Sequence, residues 1–334
     1  MKISVIIYSY NRKEFILEAI KSAYNQTLVR DLYEIIVVKS FSDPELDSEI
    51  TKFTNTCITL NVKGHGKKIV SALDHASGDI ICLLDDDDLF TKDKLQRIKD
   101  IFESQDDVIF IHNSIIRIDE KGDEIFSNRE TTHKRLELDT VSPDKKTLSQ
   151  FMSQRVNWYG SCMSFRKDAL IEVKEILGEI DQSIDPILFI LTLRKSGKMI
   201  KIDDKLTKYR VHNSTTNYLL NFSDYVERRK EFYENTLTNY NRIIGITKGT
   251  MGELLLKVSI THLRLVISFL NRATKRILIK GSINLILSME EVFIKYYFIW
   301  VFYSLIACVN NEAALKIFYL IQTSNRRSAI ELRS

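Results

Sequence analysis

Four consecutive carboxylates, Asp85, Asp86, Asp87 and Asp88, follow the apolar run Ile80-Ile81-Cys82-Leu83-Leu84. The run is short, apolar and preceded by Gly78, the pattern of a buried strand. Four like charges cannot enter a sheet interior unpaired, so they must sit where the strand ends. Adjacent carboxylates repel, and a hard divalent cation such as Mg²⁺ or Mn²⁺, which prefers oxygen ligands, relieves that repulsion. A solvated acidic loop, or a set of caps for a helix beginning near Lys92-Asp93-Lys94, accounts for the same residues. Both readings stand on this stretch alone.

The elements that must position the carboxylates come earlier and later in the chain. Residues 2–8 read as a first strand, not a targeting segment, and Asn11 as a helix N-cap. Phe15, Ile16, Ala19, Ile20 and Ala23 fall on one helical face. Residues 34–38 form a second strand and 57–60 a short third. Gly64-His65-Gly66 is a turn before a helix that ends near Gly78, and it lacks the GxGxxG pattern of a dinucleotide site. The β-α-β-α-β alternation predicts a doubly wound, mostly parallel sheet. Ligands of such sheets bind beyond the carboxyl ends of the strands. Residues 8–12, 39–40 and 85–88 all occupy those ends, so three loops converge on one crevice.

Further on, a helix is expected over 93–104, then strands over 108–112 and 115–118 with a turn at 119–123. Residues 127–146 are polar and irregular, a candidate substrate loop. Residues 156–165 mix aromatic and small residues, as a sugar-facing strand or a core strand with a glycine kink. Asp185 and Pro186 read as N-cap and first residue of a helix. A strand over 199–202 precedes Tyr209-Arg210-Val211-His212.

The chain has 334 residues, 44% hydrophobic and 28% charged, enough for two domains and a large core. Glycine and proline are scarce, so no flexible linker is visible. Cys57, Cys82, Cys162 and Cys308 make no CxxC pair, which points to a reduced, cytoplasmic setting. From Glu231 onward there are 13 basic and 7 acidic residues, against 35 and 37 before it. The basic part is also the most apolar, a pairing that suits a membrane surface better than nucleic acid.

Taken in order, four motifs resemble family 2 of the nucleotide-sugar glycosyltransferases. They are Ser4-Val5-Ile6-Ile7-Tyr8-Ser9-Tyr10-Asn11-Arg12, then Ser22-Ala23-Tyr24-Asn25-Gln26-Thr27, then residues 76–88, then Tyr209-Arg210-Val211-His212. The resemblance covers about residues 2–217. It implies a GT-A type, Rossmann-like α/β fold: a catalytic domain over 1–217, divided into a nucleotide-sugar half (1–112) and an acceptor half (113–217), then a helical region over 218–334. It implies an inverting, metal-dependent hexosyltransferase-like enzyme of polysaccharide or glycoconjugate biosynthesis. Asp85 and Asp87 match the ends of the family's DxD motif. Asp87 is then the principal metal ligand, with His212 near the metal or diphosphate. Asp85 and Asp86 face the donor, and Tyr8, Tyr10, Arg12 and Arg210 line its pocket. Asp185 matches the catalytic base. One departure stands out: the family usually carries a nucleobase-binding Asp at the end of strand two, where this chain has Lys39. A base contact then falls to Ser40 or to backbone, with a UDP-sugar still the favoured donor.

The sugar, glycan or lipid-linked acceptor is not legible. Two other functions compete: an inactive nucleotide-sugar-binding relative, favoured by Lys39, and a sugar nucleotidyltransferase, disfavoured because residues 8–12 are not a glycine-rich phosphate loop. In the last third, residues 253–270 are periodic and helical. Residues 292–309 are nearly all apolar, with Lys295 the single charge. That segment reads as a membrane-apposed helix, as a packed helical subdomain or homodimer contact, or as a single span, being borderline in length. A peripheral location at the cytoplasmic face of the membrane is expected.

Overall fold

The computed structural model describes residues 1–125, 135–142, 144–212, 221–290 and 292–331. The chain divides into two compact units, Met1–His212 and Asn213–Ser334. The expected boundary at 217 falls outside the described residues.

The first unit is built on a nine-stranded sheet. In chain order its strands are β1 (Ile3–Ser9), β2 (Tyr33–Lys39), β3 (Thr56–Thr59), β4 (Ile80–Asp85), β5 (Leu89–Phe90), β6 (Val108–Ile118), β7 (Leu136–Asp139), β8 (Met163–Arg166) and β9 (Lys198–Arg210). They lie in the order β3-β2-β1-β4-β8-β6-β9-β5, with β7 also on β9. β3, β2, β1 and β4 run parallel. β8 is antiparallel to β4 and β6, while β6 and β9 pair in parallel over most of their length. Every residue of β1 and β2 is buried, as a strand covered on both faces requires. Helices supply those covers. Ile16–Tyr24 turns Ile16, Ala19, Ile20 and Ala23, and Lys94–Ser104 turns Leu95, Ile98, Ile101 and Phe102, into one common core against Val5, Ile7, Ile35 and Val37; His65–His75, which buries Ile69, Ala72 and Leu73, also packs against β1 and β2. The strand order reverses between β1 and β4, and the acidic cluster ends β4 at that switch point. Gly78 lets the chain enter β4 against β1, since a Cβ there would stand 2.6 Å from the Ser4 nitrogen.

Several sequence expectations are corrected. β6 is one strand through 108–118, bent by register shifts, where two were expected. β9 runs 13 residues, Lys198–Arg210, where a strand over 199–202 was expected. Within 127–146, Leu136–Asp139 is a strand and Lys145 opens a helix; 126–134 and 143 lie outside the described residues. Only Met163 onward of the 156–165 stretch is strand; Gly160–Cys162 is a 3₁₀ turn. The first helix begins at Ile16, so Asn11 does not cap it.

The second unit is helical, with Phe222–Ile243, Met251–Leu270, Lys275–Ser288, Phe298–Val309 and Asn311–Glu331. Its core gathers Val258, Leu265, Phe269, Trp300, Tyr303 and Phe318. His262 is buried and stacks on Tyr297, ring centroids 3.7 Å apart. The apolar stretch 292–309 is not one helix: a 3₁₀ turn at Lys295–Tyr297 precedes a helix of 12 residues. Such a helix is about 18 Å long, well short of a bilayer core. No described helix is long and apolar enough to cross a membrane, which removes the single-span reading.

Candidate active site

The acidic loop is held from behind by Arg210. β5 pairs with β9, which brings the end of β9 under residues 85–88. The Arg210 N–H donates to Asp88 Oδ1 at 2.9 Å. Its guanidinium is fully buried and donates to the carbonyls of Asp87 (2.9 Å) and Glu120 (2.7 Å), pairs with Glu18 (2.6 Å), and lies 4.4 Å over the Phe15 ring. Sequence reasoning put Arg210 on the donor. The structure commits its guanidinium to the protein, so it positions the loop and does not line the crevice.

The front of the loop meets the end of β1. Ser9 Oγ donates to Asp86 Oδ2. Arg12 pairs with Asp86 through Nη2 at 2.8 Å and with Asp87 through Nη1. His212 Nε2 lies 2.8 Å from Asp87 Oδ2 and 2.9 Å from Arg12 Nη1. Residues more than 70 positions apart therefore converge on Asp86 and Asp87. Arg12 remains partly open to solvent while both carboxylates are buried.

A second carboxylate lies on the other side of Tyr8. The Asp185 Oδ2 accepts the Gly160 N–H at 3.0 Å. A Cβ on Gly160 would stand 2.9 Å from Asp185 Oδ1 and 3.0 Å from the Tyr8 hydroxyl oxygen. Tyr8 also hydrogen-bonds the Asp85 side chain, and Ser161 Oγ accepts the Asp85 N–H at 2.9 Å. Tyr8 and the 159–161 turn thus form a joint between Asp85 and Asp185. Tyr159, at φ 65°, carries the left-handed turn that aims Gly160. The Asp185 register differs from the expected one: Ser183 occupies the N-cap and Asp185 lies inside the helix Ile184–Thr192. Its carboxylate is therefore free to take the Gly160 N–H instead of closing its own helix.

Burial dominates the electrostatics. It raises Asp85 to about 6, helped by the charge of Asp87, and raises Asp86 to about 7 against the opposing pull of Arg12. Asp88 is pushed well up by burial and by Asp87. Burial and the charge of Asp85 raise Asp185 to about 7. His65 stands with its ring edge on Tyr8, 5.3 Å between centroids, and burial lowers it to about 4, so it is neutral. Carboxylates held this way favour an added cation. Ligand atoms of Asp85, Asp87 and Asp88 lie within 4.8 Å of one another, and the buried Asp88 Oδ2 has no hydrogen-bond partner among the described residues. The residues present fit a divalent cation through Asp85, Asp87 and Asp88. His212 meets that set at Asp87, 2.8 Å from its Oδ2.

Three other positions complete the crevice. Tyr10 is half-buried, with Lys68 Nζ 5.1 Å over its ring. Ser40 closes β2 beside β1 and donates its hydroxyl to the Val62 carbonyl at 2.6 Å. Lys39 is fully buried; its Nζ donates to the Phe41 carbonyl (2.6 Å) and to Thr59 Oγ1 (3.0 Å) and forms an ion pair with Asp47 at 2.8 Å. Ser9, His65, Lys68, Gly160 and Ser161 were missed as site residues. Gly160 had a signal, a glycine interrupting an aromatic stretch; Lys68 had none beyond an unexceptional helical lysine.

A mixed α/β sheet with an acidic cluster at its switch point, and a half-buried carboxylate across a tyrosine from it, is the architecture of the GT-A type glycosyltransferases. The profile of "Glycosyl transferase family 2" matches residues 4–173, and the chain belongs to that family. An uncharacterized glycosyltransferase of Rickettsia conorii is 30% identical over 223 residues, 65% of this chain and 34% of its own length. The chain spans about a third or less of the first curated relatives it matches. Among solved structures, S. aureus TarS 1–349 in complex with UDP-GlcNAc aligns with a TM-score of 0.61 at 15% identity, over 96% of this chain and 91% of that one. The mannosyltransferase PcManGT of Pyrobaculum calidifontis, in complex with GDP-Man and Mn²⁺, aligns at 0.52 and 15%, over 93% and 86%. At that identity the two structures speak for the fold.

Proposed function

We propose that this glycosyltransferase moves a sugar from a nucleoside-diphosphate donor to an acceptor hydroxyl with inversion, using Asp185 as general base. The observation that carries the proposal is the Tyr8–Gly160 joint, which sets one half-buried carboxylate apart from the acidic cluster yet within the same crevice. Asp85, Asp87 and Asp88 would hold a divalent cation, Mn²⁺ or Mg²⁺. When bound, that cation offsets negative charge on the diphosphate. The acceptor oxygen attacks the anomeric carbon as the bond from that carbon to the diphosphate oxygen breaks. The acceptor proton passes to Asp185. A single displacement of this kind inverts the anomeric centre.

The chain's own groups divide the remaining work. Arg12 and His212 gather at Asp87 and orient the donor phosphates, with Tyr8 and Tyr10 along the nucleotide. Asp86 stays with Ser9 and Arg12, and Arg210 keeps the acidic loop in place. Lys39 turns its ammonium to Phe41, Thr59 and Asp47, and an ammonium cannot accept a base N–H. The base contact therefore falls to Ser40 or to backbone, and a UDP-sugar remains the favoured donor, in keeping with the UDP-GlcNAc held by TarS. The acceptor is a sugar, a glycan or a lipid-linked saccharide. Thermal-shift measurements with UDP-, GDP- and dTDP-sugars, with Mn²⁺ and with chelator, test the reading. Stabilisation by one nucleotide class that needs Mn²⁺ is expected. No stabilisation by any of them would overturn it.

A further inference from the structure

The helical unit carries an apolar surface that its own core does not use. In Lys275–Ser288 the core takes Leu278, Ser282 and Leu285, while Ile279, Ile283, Ile286 and Leu287 are exposed. Their spacing puts these four on one flank of the helix. Phe298–Val309 buries Trp300, Tyr303 and Ala307 and exposes Phe298, Phe302, Leu305 and Val309, again along one stripe. Phe302 is 51% and Val309 87% exposed, and this helix has no charged residue. The two helices pack together, with Cys308 Sγ 4.0 Å from the Lys275 carbonyl oxygen. Single exposed apolar residues are ordinary; two stripes on paired helices are not.

Charge says what covers this face. Arg276 and Lys280 stand two turns before Ile283 and Leu287 on the same flank. They are exposed, as are Lys275 and Lys295, and among the described residues none of the four has an ion-pair partner. Between Lys275 and Val309 the sequence has only Glu290 and Glu291 as acids. A two-fold contact with a second copy would press the same unpaired cations toward each other. An anionic bilayer instead offers acyl chains to the stripes and phosphates to the cations.

We propose that the paired helices Lys275–Ser288 and Phe298–Val309 dock flat on an anionic membrane surface. The proposal does not depend on the active-site reading. Its test is co-sedimentation of the full chain with vesicles of phosphatidylcholine alone and of phosphatidylcholine mixed with phosphatidylglycerol. Binding to the mixed vesicles that weakens with salt is expected. Arg276→Gln with Lys280→Gln should weaken it about 30-fold, from the usual contribution of two surface cations. Phe302→Asp should weaken it at least about tenfold, with circular dichroism and nucleotide-sugar binding unchanged. No binding to mixed vesicles, or equal binding by the variants, would overturn the proposal. So would a dimer seen by light scattering that Phe302→Asp dissolves, because the face would then belong to a second copy.

Discussion

Gly160→Ala is the sharpest perturbation of the site. The added methyl would stand 2.9 Å from Asp185 Oδ1 and 3.0 Å from the Tyr8 hydroxyl oxygen. Unstrained contacts of this kind lie at about 3.5 Å or more, so the two groups must move apart by about half an ångström. The backbone itself tolerates alanine, since the left-handed residue is Tyr159 and not Gly160. Overpacking costs about 1–2 kcal/mol of stability, which a domain of this size survives. A misplacement of about 1 Å costs a reacting group about 100-fold in rate, so moving both members of the joint should lower kcat about 10- to 100-fold. Asp86, Asp87 and Arg12 do not touch the methyl, but Tyr8 does and also lines the nucleotide, so donor affinity should fall less than kcat, by no more than the tenfold that about 1.4 kcal/mol represents. The assay is release of nucleoside diphosphate over a range of donor concentrations, with donor binding measured by calorimetry. An unchanged kcat would refute the placement of Asp185 and Tyr8 at the reacting centre.

Arg210→Met removes the guanidinium that serves Glu18 and the carbonyls of Asp87 and Glu120; a loss of about 2–4 kcal/mol in unfolding free energy is expected, and an unchanged melting temperature would contradict the positioning role. Asp87→Asn should weaken Mn²⁺-dependent donor binding at least about tenfold in titration calorimetry, whereas unchanged affinity would remove Asp87 from the cation site. A general base works only as the carboxylate, and burial raises Asp185 to about 7. The acid limb of kcat/KM should therefore lie near pH 7, activity falling as pH drops through it, and a limb near 4, ordinary for an aspartate, would contradict that environment.

The crevice walls were legible because each is a local pattern. An apolar run that delivers carboxylates must end at a sheet edge, and the same holds for the loop after the first strand. Asp185 was singled out by resemblance, but its partner was not, because a hydrogen bond to Gly160 across 25 residues leaves no periodic trace. Arg210 was misplaced for a related reason. A basic residue beside His212 looks like a phosphate ligand until β9 is seen to continue to Arg210 and bury it under the acidic loop. The same long strand was hidden because β9 carries Lys201, Asp203, Asp204, Lys205 and Lys208, charges that read as loop. In the helical unit composition showed the apolar stretch, yet only the 3₁₀ turn at Lys295–Tyr297 showed that it is broken into a helix too short to span.

Asp185→Asn tests the central claim most directly, because it keeps the side chain's shape and its carbonyl oxygen for the Gly160 N–H while removing the basic carboxylate. Donor affinity with Mn²⁺ and turnover should be measured on the same preparation. Unchanged donor affinity with turnover reduced by at least about 100-fold is predicted. Turnover at the parent rate would show that the proton leaves by another route, and Asp185 would not be the base.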